Sequence, residues 1–256
     1  MGRVTVKSAG ELSLMRESGR IVAEVLALIG SHVRPGVTTD ELDALAEEYI
    51  RSQGGIPAFK GYGPDRENLF PATLCVSVDD VVVHGIPNGT PLEEGQVVSV
   101  DVGVNKGHWF GDAAKTFVVG KADEEKERLL RVTEEALYEG IRKARAGSHL
   151  HDVSAAIQNH VEQAGFSVVR DLVGHGIGRS LHEEPAVPNY GTAGTGLVLK
   201  ANMTLAIEPM VNAGTHMVRV DGDGWTVRTA DGRPSAHFEH TVVITNDEAE
   251  ILTRHG

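Results

Sequence analysis

The chain has 256 residues, 41% of them apolar, enough to bury a sizeable core within single-domain range, so 1–256 is expected to form one domain. Its 36 acidic side chains against 24 basic ones leave a formal charge of −12, which weighs against general nucleic-acid affinity because phosphate binding needs clustered Lys and Arg; the early basic residues Arg3, Lys7, Arg16 and Arg20 could make only a local patch. The single cysteine, Cys75, excludes an intrachain disulfide and fits a reducing compartment, and the sequence shows no signal-peptide pattern, membrane-length apolar run or myristoylation signal, so a cytoplasmic protein with no membrane attachment is expected.

In chain order, apolar periodicity and helix start and stop signals predict helices near 10–30, 39–53, 123–144 and 149–164. Strands are predicted near 73–83, 97–104, 109–119, 168–172, 204–211 and 237–245, with loops or short hairpins over 185–203 and 213–236. No linker or low-complexity tract divides them. Residues 34–54 and 145–165 are offset by 111 and share Arg34/Arg145, Gly36/Gly147, Ala44/Ala155 and Gly54/Gly165. Both read as a turn followed by an amphipathic helix that stops at glycine, a faint trace of duplication.

Four acidic residues stand inside runs that otherwise look like buried strands: Asp101 in VVSVDVGV, Asp112 in GDAAKTFVV, Glu208 in TLAIEPMV and Glu239 in HFEHTVVIT. A strand interior is an unfavourable place for an ionised carboxylate unless something neutralises it. Between the two aspartates, NKGH offers Lys106-Gly107 as a two-residue hairpin turn. Paired residue numbers would then sum to 213, which puts Asp101 directly opposite Asp112. Two like charges that close call for a shared divalent ion or a pair of ions.

GHGIGRSLHEEP, residues 174–185, adds His175 and His182 in a glycine-rich stretch that allows close approach to a shared centre. Its glycines are spaced GxGxG, not GxGxxG, which makes a phosphate cradle a weak reading. An oxygen-rich donor set with an imidazole and no thiolate suits Co, Mn, Fe or Zn, and two divalent ions would balance four carboxylates. Such a pair can activate a water for hydrolysis.

The ordered set His84 (in VVVHGIP), Asp101, Asp112, His175, His182, Glu208 and Glu239, with the phrases VVHGIP, GHGIGRSLHEEP, AIEPMVNAG and FEHTVVIT, resembles the methionine aminopeptidases of the bacterial type I form. The likeness runs over roughly residues 10–250. It implies an α+β "pita-bread" fold, a curved and mainly antiparallel sheet backed by helices and built as two pseudo-symmetric halves around a dinuclear metal site. The activity it implies is removal of N-terminal methionine from nascent proteins and peptides with a small second residue. By motif position, Asp101 would chelate one of two divalent ions, Asp112 and Glu239 would bridge both, and His175 with Glu208 would complete the other. Glu208 would also carry the proton from water to the leaving amine, His182 would stabilise the oxyanion, and His84 would bind the substrate backbone.

The same resemblance makes Tyr62, Phe70, Cys75 and Trp225, with Phe59, the walls of the methionine pocket. GYGPDRENLFP, residues 61–71, is longer than the usual segment, puts Phe70 where tyrosine is common, and is joined by Leu181 in place of a frequent aromatic, so the pocket rim departs from the family pattern. A monomer is expected, and the family's work on nascent chains leaves room for contact with the ribosome. Two rivals are an Xaa-Pro aminopeptidase or dipeptidase of the same fold, whose chains usually carry an extra N-terminal domain, and a non-catalytic peptide-binding homologue, which would typically have lost ligands. The sequence begins Met-Gly and so resembles its own substrate class. Mass spectrometry of protein made in cells should find Gly2 at the terminus; full retention of Met1 would count against activity on such ends.

Overall fold

The structure, a computed structural model, describes residues 4–63 and 66–254. Gly2, Arg3 of the basic patch, and residues 64 and 65 of the longer 61–71 segment lie outside the described residues. Among the described residues, four α-helices form where the sequence places them: α1 Ala9–His32, α2 Thr39–Ser52, α3 Glu124–Lys143 and α4 Leu150–Gln163. Ser8 with Glu11, and Thr38 with Glu41, close reciprocal capping boxes that satisfy the first free N–H groups of α1 and α2. Asp123 caps α3, whose acidic first turn and basic last turn both oppose its dipole. No described helix is long and apolar enough to cross a membrane.

The two segments that look alike in sequence fold alike. Helices α2 and α4 each have 14 residues, Gly36 and Gly147 take φ +89° and +88°, and Gly54 and Gly165 take +70° and +81°. Each turn is tied to its own half in the same way, Gly36 N–H to Leu92 O at 2.8 Å and Gly147 N–H to Leu199 O at 2.9 Å. In the first half α1 and α2 cover a sheet in which Val97–Lys106 pairs with Ile56–Pro57, Leu74–Val78 and Trp109–Val118. In the second, α3 and α4 pack together over a five-stranded sheet that includes Thr204–Ile207 and His240–Val243. All pairings between named strands among the described residues are antiparallel. This is the pita-bread architecture that the resemblance implies.

Several expectations about the strands are corrected. The hairpin after Asp101 turns at Gly107-His108, so Lys106 pairs with Trp109, Asp101 with Ala114, and Asp112 with Gly103. Gly107 and His108 have φ +61° and +66°, the two left-handed residues that this turn type demands; Gly adopts the first freely and His tolerates the second better than Lys106 tolerates either. Asp101 and Asp112 are therefore diagonal neighbours, not directly opposed. The shift is two residues, an even number, so both stay on the same face.

Glu208 and Glu239, moreover, do not lie inside strands. The expected strand 204–211 breaks into Thr204–Ile207 and Met210–Asn212, because Pro209 has no N–H for the ladder. The expected strand 237–245 breaks into Ser235–His237 and His240–Val243, because Glu239 turns its N–H to Ala114 O of the first half at 2.9 Å. The predicted 73–83 strand likewise splits into Leu74–Val78 and Val81–Val83 at Asp79, whose φ is +50°. Near 168–172 only Ser167–Val168 is extended, while Glu183–Val187 carries a strand into the 185–203 stretch. The 213–236 stretch holds the expected short hairpin, Val218–Val220 with Val227–Thr229.

The halves meet along Trp109–Val118 and 235–243, and two buried threonines fasten that seam. Thr241 Oγ1 accepts the Asp112 N–H at 3.0 Å and donates to the Asp112 carbonyl at 2.7 Å. Thr116 Oγ1 donates to the His237 carbonyl at 2.8 Å and accepts the His237 N–H at 2.9 Å. Replacing Thr241 with Val should leave both backbone groups of Asp112 buried without partners. Unfolding in EDTA should show a loss of about 2 kcal/mol, equivalent to a drop of roughly 4–8 °C in Tm, with Thr241→Ser close to the parent. An unchanged Tm in the valine variant would mean that the seam does not depend on this hydroxyl.

Candidate metal centre and its cavity

A cavity of about 140 Å³ opens between the halves, and every site residue expected from the sequence lines it: Asp101, Asp112, His175, Glu208 and Glu239 at its floor, His84 and His182 beside them. Phe59, Tyr62, Phe70, Cys75 and Trp225 complete the wall with Leu181. A larger space of about 460 Å³ lies behind the sheet between α1 and α3, but its charged lining is led by the exposed Lys115–Glu134 pair and it receives none of the convergent carboxylates.

The floor is built symmetrically. One hairpin of the first half supplies Asp101 and Asp112; two strand interruptions of the second half supply Glu208 and Glu239. His175 is delivered by the short strand Gly174–Gly176, which lies against both 204–207 and 183–187. A Cβ on Gly174 would come within 2.4 Å of Ala206 O, and one on Gly176 within 2.2 Å of Glu184 O. The glycines of GHGIG thus serve close backbone approach, and no phosphate role is needed to explain them.

The donor atoms converge, and several of them have no hydrogen-bond partner. Asp112, His175 and Glu239 form one group, and Glu208, His237 and Glu239 a second, the ligand atoms of each lying within 4.8 Å of one another. Among the described residues, Asp101 Oδ1, Asp112 Oδ1, Glu239 Oε1 and His237 Nε2 are buried and unpartnered. His175 Nδ1 donates to Gly176 O at 2.8 Å, which leaves the Nε2 lone pair facing Glu208 Oε1 at 3.6 Å and Asp112 Oδ2 at 3.9 Å. A lone pair aimed at carboxylate oxygens is repulsive unless a cation lies between them. Four carboxylates and neutral imidazole, with no thiolate, fit divalent transition ions.

Burial dominates the electrostatics. It raises Asp101 to about 7 and Glu208 to about 8, and pushes Asp112 and Glu239 well above the usual carboxylate range. It lowers His175 to about 3 and His84 to about 4, and lowers His182 and His237 as well, so these imidazoles are neutral. The Cys75 thiol, paired across the ladder with Asp101, is pushed well up by burial and stays protonated.

Above the floor, Tyr62 Oη lies 2.6 Å from His182 Nδ1, and the rings of His175 and His182 stack edge to face at 4.2 Å. His84 adopts φ +58° and donates a ring N–H to the Trp225 carbonyl. Its turn is clamped by Val76 N–H to Gly85 O at 2.8 Å, and a Cβ on Gly85 would approach Val76 O to 2.2 Å. Phe70 meets Trp225 edge to face at 5.3 Å, and Asn68 of the longer segment donates to Asp223 O at 3.1 Å, so that segment closes the rim against the Trp225 loop. The residue that the motif reading passed over is His237. It stands two positions before Glu239 in HFEH, and strand alternation could have placed it on the same face.

The sequence pattern of metallopeptidase family M24 matches residues 13–246. A methionine aminopeptidase of Clostridium perfringens is 52% identical over 251 residues, 98% of each chain. Methionine aminopeptidase 1 of Bacillus subtilis is 48% identical over 251 residues, 98% of this chain and 99% of its own. The crystal structure of a Thermotoga maritima methionine aminopeptidase superposes with a TM-score of 0.96 at 46% identity, covering 99% of this chain and 100% of that one.

The raised carboxyls and lowered histidines give the metal-free protein opposing pH slopes. The native carboxyls keep protons that the unfolded chain releases above roughly pH 4, so their contribution falls as pH rises toward their folded values. The histidines stay neutral where the unfolded chain takes up protons, so theirs is lost as pH falls below roughly 6.5. From about pH 6.5 to 8 only the carboxyls act. In EDTA the Tm should decline across that window, and saturating Mn²⁺ should flatten or reverse the decline, because the ionised form binds metal. A flat profile in EDTA would mean that these carboxyls titrate as in solvent.

Proposed function

This chain belongs to metallopeptidase family M24, among its methionine aminopeptidases, and on that premise we propose how its residues release an N-terminal methionine and what they select. The observation that carries the reading is the convergence of Asp101, Asp112, His175, Glu208 and Glu239 on one pocket, with a buried, unpartnered oxygen on each of Asp101, Asp112 and Glu239. These five would hold two divalent ions, Co, Mn, Fe or Zn. When bound, the ions supply Lewis-acid charge and an acidified water at neutral pH.

The protein's own groups do the rest. Glu208 sits at the floor with one oxygen toward each of two imidazoles, within reach of any water and amine held there, and it takes the proton of the attacking water and returns it to the leaving nitrogen. Tyr62 donates its hydroxyl proton to His182 Nδ1, which fixes the tautomer and leaves Nε2–H as a donor for the scissile carbonyl as negative charge develops. His84, neutral and held by Trp225, hydrogen-bonds the peptide beyond the cut. The aromatic wall with Cys75 takes an unbranched thioether, whose sulfur favours ring edges. The rim closed by Asn68 and Trp225 narrows the mouth and favours a small second residue. We read the enzyme as a cytoplasmic monomer that meets nascent chains and has room for ribosome contact.

Hydrolysis of Met-Ala-Ser should vanish in EDTA and return with Co²⁺ or Mn²⁺, and Met-Gly-Met should be cut in preference to an Xaa-Pro peptide. Glu208→Gln should lower kcat by roughly 10²–10⁴-fold while circular dichroism shows a folded chain. Substantial turnover by that variant would remove Glu208 as proton carrier; preference for the Xaa-Pro peptide would favour the rival peptidase.

A further inference from the structure

His237 is fully buried, and its Nε2 has no hydrogen-bond partner among the described residues. That atom lies 3.5 Å from Glu208 Oε2, and with Glu208 and Glu239 it forms one of the two groups able to surround a cation. The separation is informative. It exceeds the usual N–H···O range, so it is poor for a direct hydrogen bond. It matches the 3.6 Å from His175 Nε2 to the other oxygen of the same carboxylate. Two donors on one tetrahedral ion with bonds of about 2.05 Å stand roughly 3.3 Å apart, so both distances suit ligands sharing a cation.

The backbone also fixes the ring. Thr116 Oγ1 holds both the N–H and the carbonyl of His237, and the pairing of Ser235–His237 with Met210–Asn212 sets its register opposite Met210. Its Nε2 is thereby held near Glu208 Oε2 and among the ligand atoms of Glu208 and Glu239. An apolar residue or a long flexible one at this position would fill the same space without a fixed nitrogen.

We propose that His237 is a sixth protein ligand of the metal centre, its Nε2 sharing a cation with Glu208 and Glu239, so that the centre holds two imidazoles. This rests on the metal reading above. Glu208 would then lie between two ligating rings, and the second nitrogen would bias the centre toward transition ions and away from Mg²⁺ or Ca²⁺.

The test uses the full chain loaded with Co²⁺ and two readouts other than activity. Proton NMR of the wild-type cobalt protein should show two exchangeable, hyperfine-shifted imidazole N–H signals; one signal would overturn the proposal. Titration calorimetry should find that His237→Gln, which can hydrogen-bond Glu208 but offers no imidazole, binds at least one cobalt ion about 10-fold or more weakly and loses one of the two signals. Wild-type affinity in that variant would show that His237 only positions Glu208 and would equally overturn it. The wild-type spectrum stands whether or not the variant folds. Failure of the wild type to take up cobalt would overturn the metal reading itself.

Discussion

Four carboxyl groups packed into one small buried space cannot all be ionised there unless positive charge joins them, and the architecture of this protein is organised around that constraint. Burial first, joined by repulsion from neighbouring carboxylates at Asp101, Asp112 and Glu239, drives every one of the four upward, out of the range in which a carboxylate is normally found. The surrounding histidines are driven the other way, into the neutral form that can donate a lone pair. Acid and base are thus poised for the same partner. A site of this kind contributes little to the stability of the empty fold and gains its worth when cations bind.

How the carboxylates reach that space follows from a repeated half. Each half offers two acidic residues from adjacent segments, and the seam between halves brings the two pairs together. The seam is held by hydroxyls bonded to backbone on the facing segment, Thr241 on Asp112 and Thr116 on His237, so the groups that fasten the halves are bonded to residues of the converging donor groups. Small errors in half-to-half placement would therefore appear directly as errors in donor geometry. The aromatic wall is recruited from the same junction: Tyr62 and Phe70 come from the first half and Trp225 from the second, so the pocket and the floor share one alignment.

Much of this was legible in the letters. Helices α1 and α2 were legible from apolar periodicity, and the structure closes their first turns with Ser8/Glu11 and Thr38/Glu41, where side chain and backbone exchange bonds within four residues. The acidic residues inside apolar runs pointed to the floor, and the pocket residues, carried over by motif, line the same cavity. What the letters hid depends on bonds between distant segments. The register of the Asp101–Asp112 hairpin turned on which two residues accept a left-handed backbone, a choice between Lys106-Gly107 and Gly107-His108 that periodicity cannot make. The break at Glu239 exists because its N–H leaves for Ala114 in the other half, and apolar neighbours on both sides conceal it. His237 escaped notice for a similar reason, since a lone histidine beside an aromatic has many bland explanations until its unpartnered nitrogen is seen.

The two interruptions at Glu208 and Glu239 carry a lesson for anyone who would graft this chemistry elsewhere. An uninterrupted ladder spends each backbone amide on its neighbour and holds side chains at fixed spacing above one sheet. Here Pro209 withholds an amide and Glu239 redirects one, which frees both glutamates to leave the sheet's lattice and lean toward a common point. A transplanted set of identical side chains on a regular hairpin would keep the composition and lose the convergence. The portable unit is the pair of defects together with the chain that tolerates them.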